Sequence, residues 1–511
     1  MRAFYILLSG SIQLKSESLL RDEFIDFKRS LLEGVCRFRP FDPLKTKSID
    51  SIQIEKFSGI PCQILFELST LLNLDPCDAY SIFQSYILYE FKGTPDMVKL
   101  CFANENSLKA FFEKMLSYYH HERMFAMFSL KLILANNSSH PFKELLKQFS
   151  NEILPEMFKS LKDQLTFLEK TKPLKKHPMM SDRFKDDLSR FRQSEVSELL
   201  QVTILYLYNT EFDKENVQEL FETCKCLSEF QDDQMKVTEA GRFIAFLRSL
   251  ILVLVLKPDL AILKEEDDDD IKHPLLKLKL IRDKIQGNIL MLNKKSPENS
   301  LIFIFWASLC HDDCDENVIN SLSQRACSLN IWLWIDYCLK LPEMDALKDS
   351  KLHQIIVTTL GQILSLFFDS FDFKEEFILE ENDIRNLLYT VFQLEPVAKM
   401  LKNPFSGFHK VFISALTLFP VEYRSIIKWI EALASTKECS DLFKIRGFCN
   451  SVDFYCEVFD DTSADLQLIS EETVLLLNQR IIRNGNDILA VIPAESTGSL
   501  LVFGNKRFVF L

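Results

Sequence analysis

Glycine is scarce, at 12 in 511 residues, against an average usage of about 7%. A chain short of glycine has few positions that tolerate a left-handed backbone and few loops that can close around a phosphate. No Gly-x-Gly-x-x-Gly, Walker-type loop or Gly-x-Ser-x-Gly elbow occurs, so the common signatures of dinucleotide, nucleoside-triphosphate and serine-hydrolase chemistry are missing. The same shortage disfavours Rossmann-type and all-β folds. A paired cysteine framework is also missing: the 13 cysteines are odd in number and scattered. They read as reduced thiols acting as small core hydrophobes, as in cytosol or nucleus. There is no excess of positive charge. Lys and Arg total 60 against 73 Asp and Glu, a net −13, and a surface of that sign repels a phosphate backbone. No direct nucleic-acid partner is expected.

Long apolar runs are lacking too. The stretch from Ala3 to Leu8 is too short for a signal-peptide core and reads as the first turns of a helix. Leu352–Phe368 is uncharged but carries His353, Gln354, Thr358, Thr359 and Gln362, and Ser249–Leu256 is bounded by Arg248 and Lys257. Both fall short of the roughly 20 apolar residues a membrane span needs, so no transmembrane segment is expected and buried helices explain them.

Metal chemistry finds only fragments. His121-Glu122 begins a zinc-protease motif, but Phe125 stands where the second histidine belongs. His120-x-Glu122 resembles half a zinc-deaminase signature, yet Pro61-Cys62 leads to Leu65 and Pro76-Cys77 to Tyr80, so Pro-Cys-x-x-Cys is absent. Cys310-His311-Asp312-Asp313-Cys314 offers three ligands where zinc usually takes four from paired knuckles, with Cys327 and Cys338 the nearest spare thiols. A helix end after Leu301–Leu309, with Asp312 or Asp315 capping the next helix, is the plainer reading. Cys224-x-Cys226 reads as structural. Tyr118-Tyr119 and Trp332-x-Trp334 read as core or groove residues in a chain with 12% aromatics. The expectation is a non-enzymatic chain with no catalytic residue, no metal and no cofactor.

What is present is helical periodicity. The chain is 47% hydrophobic, with 44 phenylalanines, and its length exceeds the 250–300 residues at which a single core stops growing. Phe24, Phe27 and Leu31, and then Ile82, Phe83, Tyr86 and Ile87, put bulky residues on one helix face. Asp75-Pro76, Thr94-Pro95 and Ser296-Pro297 each place a capping side chain before a proline, and Asn403-Pro404 and Phe419-Pro420 begin further segments. Connections are short, which favours antiparallel packing of neighbouring helices. No strict repeat period is visible. Lys264–Lys272, with Asp267–Asp270 at its centre, reads as a solvated acidic loop.

The pattern changes near residue 480. Ile488–Ile492, Leu500–Phe503 and Arg507–Phe510 are short apolar runs separated by Asn484-Gly485, Ser496–Ser499 and Gly504-Asn505-Lys506, the marks of a hairpin or meander. The last run has no visible partner strand. Because two or three strands alone are marginal in water, the chain reads as the first part of something longer.

Several short motifs, in order, resemble the large inner-ring scaffold nucleoporins of the nucleoporin-188 class. They are Leu31-Leu32-Glu33-Gly34 with the stretch to Pro43; Tyr86–Glu90 running into Phe91-Lys92-Gly93-Thr94; Tyr118-Tyr119 followed by Glu122-Arg123 and His140-Pro141; Trp306-Ala307; Leu418-Phe419-Pro420; Phe454-Tyr455; and Ile488 to Phe510. The resemblance implies an all-α, irregular right-handed solenoid of the HEAT and karyopherin kind over residues 1–478. It implies the start of a small SH3-like barrel, truncated, over 479–511. It further implies a location at the nuclear pore complex of the nuclear envelope and a structural role in transport of protein and RNA. Other inner-ring nucleoporins, engaged through helical linker segments, would be the partners, and no partner-binding residue is carried over. Phe503-Gly504 is the sole Phe-Gly dipeptide, which fits a scaffold and not the permeability barrier. A soluble karyopherin-like receptor is the alternative.

Overall fold

The aromatic stripes become helix faces. The computed structural model describes residues 1–10, 17–35, 41, 60–170, 180–229, 238–261, 273–293, 295–311, 316–370, 382–403, 405–417, 424–436, 456–459, 465–470, 473–484, 487–503 and 506–510. It divides into two units, Met1–Ile363 and Leu364–Leu511. The chain is mostly α-helical with a small antiparallel β region.

The first unit contains α1 (Arg2–Leu8), α2 (Glu17–Glu33), α3 (Cys62–Leu72), α4 (Pro76–Tyr89), α5 (Pro95–Ala103), α6 (Glu105–Ala135), α7 (Lys143–Lys170), α8 (Asp182–Asn209), α9 (Val217–Glu229), α10 (Glu239–Leu254), α11 (Lys279–Leu290), α12 (Ser300–Leu309), α13 (Glu316–Ser328), α14 (Ile331–Leu339) and α15 (Pro342–Ala346). It also holds the first part of α16 (Lys351–Ser370). Helix α6 packs on α1, α5, α7 and α8; α8 packs on α10, and α10 on α12. Every residue of α12 is buried, as a helix apolar on all sides must be. Helix α16 is long and apolar enough to cross a membrane by length and composition, but 72% of that window is buried inside the protein.

Cross-helix contacts give direction. Phe24 stacks on Phe149 with ring centroids 3.8 Å apart, Lys28 pairs with Glu156 at 2.9 Å, and Gln164 donates to the Leu32 carbonyl at 3.2 Å. Residue numbers rise together, so α2 and α7 run the same way. His120 and Arg123 meet Glu195, Lys131 meets Glu198 and Gln201, and Asn209 donates to the Leu134 carbonyl; α6 and α8 are therefore parallel. Lys284 with Gln218 and Asn288 with Glu222 align α9 and α11 in the same sense.

Of the expected proline-linked caps, Asp75 acts as one. Its carboxylate accepts the Cys77 N–H at 3.0 Å, with Pro76 opening α4. Asp75→Ala is expected to cost about 1 kcal/mol, read as a lower urea midpoint for the helical transition. Thr94 and Ser296 precede helix-opening prolines but make no side-chain cap. There the proline alone starts the turn, with its preset φ and missing N–H. Asn403 accepts the Phe405 N–H at 3.0 Å, and the helix begins later, at Gly407. The acidic loop 264–272 and Phe419-Pro420 lie outside the described residues.

The second unit holds the remainder of α16, then α17 (Asn382–Phe392), α18 (Glu395–Leu401), α19 (Gly407–Thr417) and α20 (Arg424–Ala434). Phe392 lies 5.8 Å from Phe408 and 5.7 Å from Trp429 between ring centroids. Trp429 is fully buried, and its indole N–H donates to the Arg385 carbonyl at 3.2 Å.

Among the described residues, seven strands follow: β1 (Cys456–Phe459), β2 (Leu466–Ser470), β3 (Thr473–Leu476), β4 (Arg480–Asn484), β5 (Asp487–Ile492), β6 (Thr497–Phe503) and β7 (Lys506–Phe510). They form an antiparallel sheet in the order β1-β7-β6-β3-β2 and a separate β4–β5 hairpin. The hairpins expected around Asn484-Gly485 and Gly504-Asn505 are present, with Asn484 opposite Asp487 and Phe503 opposite Lys506. Two expectations are corrected. Strand structure begins at Cys456, well before residue 479. The final strand does have partners: β1 pairs with one edge of β7 and β6 with the other. Four- and five-residue strands carry too little periodicity to be told from helix in the sequence. The inward residues Leu466, Val474, Leu476, Leu500 and Val509 form one small core.

Candidate functional site

Among the described residues, no group of three or more His, Cys, Asp or Glu side chains is placed to hold a metal ion. Cys310 is buried at the C-cap of α12, its N–H bonded to the Trp306 carbonyl at 3.0 Å, and His311 is exposed. Cys314 lies outside the described residues. The Cys310-His311-Cys314 fragment is thus seen in part, with its first thiol serving the helix end. Cys224 is buried in α9. Trp332 is buried, and Trp334 packs edge-on against Phe246 at 5.9 Å; Tyr119 is buried and Tyr118 half-buried. These aromatics are packing residues, as expected. Burial pushes the Tyr118 phenol up, with Glu122, Tyr89 and Glu90 adding to the effect.

His120 and Glu122, singled out as motif fragments, serve different contacts. Glu122 pairs with the Met1 ammonium at 3.0 Å. His120 approaches Glu195 at 3.3 Å, within a polar cluster that the sequence reading missed. Arg123 and Glu195, each 2% exposed, form an ion pair between α6 and α8. Arg123 also donates to the Tyr119 hydroxyl at 3.0 Å and lies over the Tyr119 and Phe167 rings. Burial pushes the Glu195 carboxyl up, but Arg123, then His120 and Arg192, outweigh it and hold the group below the usual carboxylate range. Helical position carried the available signal. Arg123 falls on the α6 stripe with Tyr119, Ala126, Met127 and Leu130, and Glu195 beside Val196 and Leu199, all buried.

A second tie closes the C-terminus of α8. The buried Lys257 ammonium donates to the carbonyls of Leu207 and Thr210, where the last turn leaves acceptors unpaired and the helix dipole favours a cation. Lys257 itself sits at φ +54°, a left-handed conformation uncommon for a side-chain-bearing residue. His273 bridges the carbonyls of Leu256 and Lys257 at 2.9 and 3.2 Å. Burial pushes the His273 imidazole down, and the two backbone hydrogen bonds oppose it. Both ties fasten helices.

Some apolar side chains are left at the surface. At the α4–α5 corner Leu88 and Leu100 are 73% and 68% exposed, with Tyr89 and Met97 exposed beside them in sequence. The family model described as "Nucleoporin Nup188, N-terminal" matches residues 45–465. The chain belongs to the Nup188 family. It is 22% identical over 491 residues to human Nucleoporin NUP188, covering 91% of this chain and 27% of that protein. It is 21% identical over 497 residues to the Xenopus tropicalis protein of that name, covering 93% and 28%. With Nucleoporin Nup188 of Drosophila melanogaster it shares 23% over 388 residues, covering 72% and 20%. The chain thus spans about a quarter of the length of these relatives. As a Nup188-family chain it is a nucleoporin of the nuclear pore complex, at the nuclear envelope. Several residues that carried the resemblance turn out to be interior: Leu31, Tyr86, Tyr119, Arg123 and Trp306 are all buried. Leu418-Phe419-Pro420 and Phe454-Tyr455 lie outside the described residues.

Proposed function

We propose that this chain is a structural, non-enzymatic scaffold of the inner ring of the pore. It docks other inner-ring nucleoporins and thereby supports transport of protein and RNA. The observation that carries the reading is the family match over residues 45–465. The parallel pairs α6/α8 and α9/α11 support it: every second helix aligned in one direction is how stacked hairpins of an irregular HEAT-like solenoid lie. Such a stack presents long helical grooves, the geometry that accepts an amphipathic linker helix from a partner, and several such sites on one chain raise avidity. The β region would be part of a small SH3-like barrel.

The test is exchange. Tagged at its endogenous locus, the protein should purify in a stable, stoichiometric assembly with other nucleoporins, and its fluorescence at the nuclear rim should recover slowly after bleaching. Rapid recovery, together with release by the small GTPase that loads transport cargo, would replace the scaffold with a karyopherin-like receptor.

A further inference from the structure

A hydroxyl residue stands directly before a proline at two places in the chain, Thr94-Pro95 and Ser296-Pro297. The fold treats them oppositely. Ser296 is 6% exposed, whereas Thr94 is exposed in the corner between α4 and α5. The five residues Glu90 to Thr94 lie outside both helices. Thr94 itself is extended, with φ −78° and ψ 161°, and its side chain makes no cap to α5. The exposed hydroxyls of Ser81 and Ser328 are different. They sit within helices and donate to the Cys77 and Arg325 carbonyls at 2.9 and 2.8 Å.

We propose that Thr94 is a phosphorylation site for a proline-directed protein kinase. Such an enzyme reads an extended acceptor followed by proline. Pro95 brings no N–H, so an apolar kinase surface can cover it without stranding a donor. Residues after the acceptor must also reach the enzyme, and α5 permits that. From Asp96 to Leu100 only Val98 is buried, so the first turn can open at little cost in packing. In the transfer, Thr94 Oγ1 attacks the γ-phosphorus of ATP. The new O–P bond forms as the bond to the β–γ bridging oxygen breaks, ADP leaves, and the hydroxyl proton passes to the aspartate of the kinase. The product places a charge of about −1.5 to −2 at residue 94. Met97, whose N–H binds the Thr94 carbonyl at 3.0 Å, is one of the exposed apolar residues of this corner. Modification therefore makes an apolar corner anionic. The inference does not rest on the scaffold reading, since a soluble receptor of this fold would carry the same acceptor.

The experiment incubates the whole chain with a purified proline-directed kinase and magnesium-ATP, and locates phosphate by peptide mass spectrometry. A synthetic peptide spanning 287–307 is the unfolded reference and should be phosphorylated at Ser296. The folded chain should take phosphate at Thr94 and not at Ser296. Thr94→Ser should keep the site. Thr94→Ala should abolish it with an unchanged circular dichroism spectrum, because no cap is lost. Pro95→Ala should lose most of the incorporation. No phosphate at Thr94 of the folded, unsubstituted chain would overturn the proposal. Equal modification of Ser296 in that chain would overturn it too, because burial would then not be selecting the acceptor, as would a 287–307 peptide that the kinase refuses.

Discussion

Arg123→Met should destabilise the Met1–Ile363 unit by about 3–5 kcal/mol, because it strands the Glu195 carboxylate where almost no solvent reaches. The loss should appear as an earlier thermal and urea transition of the helical signal. Arg123→Met with Glu195→Met should recover most of it, since removing both charges leaves nothing to desolvate. Acidity supplies a second handle. The folded Glu195 carboxyl is held below its unfolded value, so the stabilisation from the pair is complete above the unfolded glutamate pKa of about 4.3. It is lost as the pH falls through the folded value. The gap between the native chain and Arg123→Met should therefore narrow on acidification, while the double variant shows little of that dependence. A constant gap across the acid range would mean that the ion pair is not what Arg123 contributes.

The second large effect belongs to Gly407→Ala. The Gly407 N–H donates to the Ser365 hydroxyl at 3.1 Å, and that hydroxyl meets Ser406 at 3.0 Å, so α19 starts in close backbone approach to α16. A Cβ at 407 would lie 2.7 Å from the Asp369 nitrogen and 2.9 Å from Phe368 Cβ, and would press on the Ser365 carbonyl. Two of these three neighbours are backbone atoms, which cannot rotate away, and interiors this dense pass the strain on. Overpacking of this kind costs about 1–3 kcal/mol and sometimes more; the upper end or beyond is expected here. Gly287→Ala is the control, because a Cβ there meets nothing within 4 Å. It should be neutral or slightly stabilising through helix propensity.

Much of the helical architecture was legible because it rests on repeated local signals. The Phe24–Leu31 and Ile82–Tyr86 stripes, the Asp75-Pro76 cap and the mostly apolar 301–309 run each state a helix, and in two cases its buried face, within a single turn or two. What escaped is non-local. Arg123 and Glu195 sit on core stripes of separate helices, and nothing in either neighbourhood names the other as partner. Thr94 and Ser296 had the composition of caps, but cap formation depends on the side chain reaching an N–H, which composition does not fix. Cys456–Phe459 is four residues long, and its identity as a strand depends on β7, which follows far later in the chain. The exposed apolar surface was the least legible of all. Exposure of Leu88 and Leu100 follows from which faces tertiary packing leaves over, not from the residues themselves.

The pairing of β1 with β7 also sets an order in time. Helices such as α12 and α13 can dock as each leaves the ribosome, since they pack on one another and are consecutive in the chain. Strand β1 must wait until Lys506–Phe510 has been made, on the order of several seconds at typical rates of synthesis. Long-range pairing of this kind is slow to nucleate. The sheet therefore closes late, and the nascent chain carries an unpaired strand through that interval.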